Sequence, residues 1–156
     1  MIMFDQEFRQ ISSIIERLHR EAGAKVCYLV DKNGQLIASA GETAGIDSTS
    51  LASLTAGNIA ATSGLAKLLG EKEFSIVFHE GQRDNIHISL VGQRVILVVV
   101  FDQRTSLGLV RLKVKKVSTE LAEIFNSLAA KAQAPGSPKT PFEEITDQDI
   151  DKLFSE

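Results

Sequence analysis

From Ser48 to Ala66 the chain carries no charged side chain. The run, STSLASLTAGNIAATSGLA, is too long and too regular for a loop. Asp47 and Ser48 are good helix N-caps and Gly70 is a good stop, so the segment is expected to form one uncharged helix. Leu51, Leu54, Leu65 and Leu69 share a face with Asn58 and Thr62, and that face is expected to pack on a core. A solvated helix ordinarily carries charge on its other side. Here that side holds Ser53, Ala56, Gly57, Ala60, Ser63 and Gly64, with Lys67 only at the end. Such side chains lose little entropy and leave no charge to desolvate when another backbone comes close. This face reads as a docking surface, for a different protein or for the same helix of a second copy. The two readings are compatible.

The other elements follow from periodicity. Phe4, Phe8, Ile11, Ile15 and Leu18 recur at helical spacing, which predicts a helix over 4–22. Lys25–Val30 and Leu36–Ala40 flank Lys32-Asn33-Gly34, so they form a hairpin. After the uncharged helix, Phe74, Ile76 and Phe78 alternate with polar residues as a half-buried strand. Ile86, Ile88 and Leu90 do the same. Val95–Phe101 is apolar on both faces and is therefore central. Thr105 or Ser106 then caps a long helix built on Leu107, Val110, Val114, Val117, Leu121, Ile124 and Leu128. The order is α-β-β-α-β-β-β-α. Hairpins make the sheet mainly antiparallel, and an α/β (α+β) chain with three helices on a five-stranded sheet must cover both faces. The first and last helices are expected on one face and the uncharged helix on the other.

Residues 1–132 hold 15 basic and 14 acidic side chains, while residues 133–156 hold two basic and six acidic, and the whole chain carries −3. The segment 133–141, QAPGSPKTP, contains all three prolines and reads as a linker between a domain over 1–132 and an acidic tail over 142–156. In the tail, Ile150, Leu153 and Phe154 share a helical face. A helix this short is marginal alone in water and is expected to order only on contact.

Composition excludes several classes of function. The net charge argues against general nucleic-acid binding. Val95–Phe101 falls far short of the roughly 20 apolar residues of a membrane helix. The N-terminus does not read as a signal peptide. The lone Cys27 gives neither a disulfide framework nor a zinc set, which suits a reducing cytosol, and it reads as a small buried hydrophobe. His19 lies among charged residues and reads as solvated. His79 and His87 stand on neighbouring strands, but no ligand triplet accompanies them. No nucleophile elbow or phosphate loop is present, so no catalytic residue, metal or cofactor is assigned. Arg104 is an exposed loop arginine, either capping nothing or able to enter another protein's phosphate site. Arg111, Lys113, Lys115 and Lys116 form a basic cluster on the last helix. It is a solvated face, or a face for an anionic membrane surface or an acidic partner.

The stretches VDKNGQLIASAG (30–41), DSTSLASLTAGNIAATSGLAKLLGE (47–71) and VILVVVFDQRTSLGLVRLKVKK (95–116) resemble the roadblock/dynein light chain family. The resemblance covers nearly the whole chain. With the linker and the ending EITDQDIDKLFSE it points to bacterial members that partner a small Ras-like GTPase. It implies a homodimer paired through central strands into a continuous sheet, with the second helices side by side. It further implies activation of the GTP-bound GTPase by repositioning that enzyme's own groups, without an inserted arginine, in a setting of cell polarity and motility. The platform would be Ser53, Ala56, Gly57, Ala60, Ser63, Gly64 and Lys67. Ile150, Leu153 and Phe154 would anchor the tail as a second contact. A roadblock adaptor without effect on GTP turnover fits the same residues.

Overall fold

The computed structural model describes the backbone of residues 5–133 and the side chains of residues 5–130. The elements run α1 (Asp5–Ala22), β1 (Val26–Asp31), β2 (Leu36–Gly41), α2 (Ser48–Leu68), β3 (Ile76–Glu80), β4 (Asn85–Val91), β5 (Val95–Phe101) and α3 (Leu107–Gln133). This is the order expected from the sequence. The tail residues Ile150, Leu153 and Phe154, and all of the linker but Gln133, lie outside the described residues.

The sheet has the order β2-β1-β5-β4-β3, with every neighbouring pair antiparallel. β1 and β5 pair with each other at its centre and are buried along their whole length. Alternation then divides their side chains between two cores. Cys27, Leu29, Leu97 and Val99 face α1 and α3, with Ile11, Ile15, Val110, Val114 and Leu121 above them. Val26, Tyr28, Val30, Ile96, Val98 and Val100 face α2, which contributes Ala52 and Ile59. Two helices thus cover one face of the sheet, and a single helix lies over the other.

Three local expectations change. Phe8 is exposed rather than buried, and Ile14 joins the core of α1 in its place. His19 is half-buried: a Cβ placed on Gly41 would sit 2.6 Å from its ring, so its ring lies against the end of β2 instead of in solvent. Phe74, Ile76 and Phe78 are exposed, and Val77 makes the inward contact of β3. β3 is an edge strand, so these residues have less of the fold above them than their counterparts on β4.

The β1–β2 turn is closed by Asp31, a buried carboxylate whose Oδ1 accepts N–H bonds from Asn33 and Gln35, each at 2.9 Å. The turn also supports α2. Gly34 has φ +89°, and a Cβ there would lie 3.2 Å from the Cα of Ser53. Both the left-handed conformation and the close helix backbone call for glycine. Gly34→Ala should therefore destabilise the chain by about 1–3 kcal/mol, the usual cost of a strained backbone position. A urea titration showing an unchanged midpoint would refute that account of the turn.

Candidate functional site

α2 begins at Asp47, whose carboxylate accepts bonds from the backbone N–H (3.1 Å) and hydroxyl (2.7 Å) of Ser50. Those bonds hold the Asp47 carboxyl below the usual carboxylate range. The Tyr28 hydroxyl lies 3.1 Å from that of Ser48 and ties the first turn to the sheet. The helix ends where Gly70, at φ +75°, turns the chain and the Glu71 N–H reaches back to the Ala66 carbonyl at 2.9 Å.

Between these ends the helix has three faces, not two. The buried face is Ala52, Thr55, Ile59 and Ala66. The expected leucine face is not the core face. Leu54, Leu65, Leu68 and Leu69 are 74%, 56%, 84% and 70% exposed, and only Leu51 packs partly against the core. At about 100° per residue, the leucine stripe and the small-residue stripe each lie roughly 120° from the buried one, on opposite sides. Small and β-branched residues occupy the contact because they let the helix come close to Tyr28 and Val98. The longer leucines fall beside it.

The leucine side looks toward β3 and β4. There it borders an apolar groove of about 500 Å³ whose lining includes Leu51, Leu54, Asn58, His79, Ile86 and Ile88. Asn58 Oδ1 is buried with no hydrogen-bond partner among the described residues. β3, beyond the groove, is an edge strand with exposed Ile76 and Phe78, and its outer backbone groups form an open row. This overturns pairing of copies through central strands, because β1 and β5 are each hydrogen-bonded on both sides.

The small-residue side looks toward the β1–β2 turn, where Gly34 meets Ser53 and Ala56. Ser53, Gly57, Ala60, Gly64 and Lys67 are exposed, and Ala56 and Ser63 are half-buried at the margin. A Cβ on Gly57 or Gly64 would meet nothing within 4 Å. Glycine inside a helix costs roughly 0.5–1 kcal/mol relative to alanine, and nothing within the described chain requires it at either position.

The remaining candidates separate in space. Arg104 is engaged. Its guanidinium bonds Asp102 at 2.9 Å and Glu42 at 3.3 Å, and these two carboxylates push its pKa further up. His79 lines the groove on the α2 side, whereas His87 pairs with Val99 and points to the α1/α3 side, so the two cannot share a ligand. Among the described residues no group of three or more His, Cys, Asp or Glu side chains could hold a metal ion, and no helix is long and apolar enough to cross a membrane.

His87 is the buried polar residue that alternation misread. It is 1% exposed, with neither ring nitrogen hydrogen-bonded among the described residues, and Ser89 Oγ beside it on β4 is equally unpartnered. Burial first, and the charge of Arg111 second, lower its pKa. The unfolded chain takes up this proton near pH 6.5, and the folded chain does so only at lower pH. Stability should therefore fall as pH drops below about 6.5 and level off below the folded value. His87→Phe should flatten that slope. Equal acid sensitivity of the two proteins in urea titrations at neutral and mildly acidic pH would refute it.

Comparisons with known proteins bear on this site. The Roadblock/LC7 domain model matches residues 11–101. Myxococcus xanthus MglB is 61% identical, with 82% of this chain and 96% of that chain covered and a TM-score of 0.78. The gliding protein MglB of Thermus thermophilus is 34% identical over 81% of this chain and 96% of that chain, with a TM-score of 0.76. An MglB solved in a tetrameric arrangement is 32% identical over the same shares, 81% and 96%, with a TM-score of 0.77. A search of curated proteins finds no match.

Proposed function

Because the chain belongs to the Roadblock/LC7 family and resembles its MglB members, we propose that it is a homodimeric activator of a small Ras-like GTPase of the MglA type. The observation that carries this reading is the division of α2 into two exposed faces, one of leucines and one of small uncharged residues. The leucine face, with the groove and the open edge of β3, suits a second copy. Burying an exposed leucine gains about 1.5–3 kcal/mol, and a patch of several seldom stays open on a monomer. In such a dimer the small-residue face remains available. Ser53, Ala56, Gly57, Ala60, Ser63, Gly64 and Lys67 then form the platform on which the GTP-bound partner docks.

Activation on this reading requires no catalytic group from this chain. GTP hydrolysis depends on a positioned water and on stabilised charge at the transferring phosphoryl group. The GTPase owns the groups that do this. A platform that binds the conformation with those groups in place raises its population, and it does so only by binding that conformation more tightly than the other. The engagement of Arg104 by Asp102 and Glu42 fits a mechanism without an inserted arginine. Ile150, Leu153 and Phe154 of the tail make a second contact with the GTPase that adjusts its nucleotide state. The setting is cytoplasmic, and it follows from the MglB likeness that the role is in cell polarity and motility.

GTP turnover by the cognate GTPase, with and without this protein, tests the reading. Large stimulation is expected, saturating at one dimer per GTPase. Ala60→Arg with Gly64→Arg should weaken binding more than about 100-fold, at about 1.4 kcal/mol per factor of ten. Both positions are exposed, so the fold should survive. Binding without stimulation would make the protein an adaptor. Leu54→Asp with Leu65→Asp should shift the sedimentation of the protein from dimer to monomer. A truncation lacking 133–156 should keep the dimer but alter GTPase affinity or nucleotide exchange.

A further inference from the structure

The outward face of α3 has no partner in the function proposed above. Val110, Val114, Val117 and Leu121 point into the core. Nearly opposite them stands Leu112, which is 63% exposed, and Leu109, also exposed, stands on one flank about 60° from it. The positions around them are basic. Lys113 is drawn toward α1, 3.7 Å from Glu21, and Glu120 of α3 is taken by Arg17. Arg111, Lys115 and Lys116 form no ion pair among the described residues. The nearest exposed acid further along this face is Glu123, about 10 Å beyond Lys116 at 1.5 Å per residue. The helix thus presents Leu112 between Lys115 and Lys116, with Leu109 at one flank and Arg111 at the other, nearer β4.

The chain itself supplies a segment of matching chemistry. Residues 142–156 contain Glu143, Glu144, Asp147, Asp149, Asp151 and Glu156 against one Lys152, together with Ile150, Leu153 and Phe154 at helical spacing. Its length allows the return. From Gln133 back to Lys116 is about 26 Å along α3 at 1.5 Å per residue. The residues between Gln133 and Asp147 can span about 43 Å at 3.3 Å each.

We infer that the acidic tail docks on the outward face of α3, with Ile150, Leu153 and Phe154 against Leu109 and Leu112 and its carboxylates against Lys115 and Lys116. Tethering gives the tail an effective concentration in the millimolar range, so even a weak contact is substantially occupied. The face is then a resting place from which the tail must be released to act elsewhere. Much of the contact is electrostatic and partly exposed, so it weakens as salt shortens the screening length from about 10 Å at 0.1 M to about 3 Å at 1 M. The inference is independent of the GTPase reading, because its test uses this protein alone.

The test is a nitroxide on the full chain at Ser155→Cys, with broadening of backbone amide signals as the readout. Cys27 does not compete for the label, because it is buried in β1 and its thiol is pushed up to about 12. Amides from Gly108 to Thr119 should lose about half their intensity or more in low salt, reversibly on reduction of the label, and most of that loss should vanish in 1 M NaCl. Lys115→Glu with Lys116→Glu should abolish it while the amides of Val114 and Val117 keep their shifts. Adding Asp147→Lys and Asp151→Lys to that variant should restore it. Broadening confined to α2 or β3, or broadening of α3 that survives the charge reversal, would overturn the inference. So would an α3 left sharp while the protein binds phosphatidylserine vesicles through Lys115 and Lys116, since the face would then belong to a lipid surface.

Discussion

Everything in this fold depends on the pairing of β1 with β5. Both strands are apolar on both faces, so the sheet they centre on cannot leave either side to water. α1 and α3 pack against each other over one side and bring a continuous set of large aliphatic side chains to it. On the other side α2 lies alone. A single helix is about 10 Å wide and strands are about 4.8 Å apart, so one helix covers about two strands of five. The groove beside α2, the bare edge at β3 and the exposed leucines follow from that one shortage.

The shortage explains why an uncharged helix is found here. α2 has three tasks at different angles: contact with the sheet, a leucine flank over the groove, and a flank of small residues beside the β1–β2 turn. None is improved by a charge. The sheet contact needs short side chains for close approach, and the turn needs room for Gly34 against Ser53. The groove flank is apolar because its neighbours Ile86 and Ile88 are apolar. Association of copies, in this view, completes a core that one chain cannot close.

The charged surface is arranged on the opposite principle. α1 and α3 are joined at their edges by Arg17 with Glu120 and by Lys113 with Glu21. The loop after β5 is pinned by Arg104 to Asp102 and Glu42. Arg111, Lys115 and Lys116 of α3 are among the cations without an ion pair in the described residues, and residues 133–156 carry six acids against two bases. His87 stands apart from both patterns, a buried imidazole without hydrogen bonds among the described residues, between β4 and the helical layer.

The sequence by itself determined the elements, their order and their distribution over two faces. Apolar periodicity, Asn33-Gly34, Gly70 and the unbroken spacing of α3 are local signals, and local backbone preferences decide them. It also marked α2 as an uncharged helix and named a small-residue face on which Ser53, Gly57, Ala60 and Gly64 stand exposed and Ala56 and Ser63 half-buried. Tertiary structure alone decided which side of α2 is buried. A helix with no charges has no polar face to set its phase, and leucine and alanine are both acceptable inside. The choice went to Ala52, Thr55, Ile59 and Ala66 because close packing on Tyr28 and Val98 favours short side chains over long ones. The same holds for His87 and Ile76, whose alternation predicted the reverse of their burial. Strand periodicity says that neighbouring side chains point to opposite faces, but which faces are covered depends on where the strand lies in the sheet. β4 lies between two strands under α3, and β3 lies at the edge.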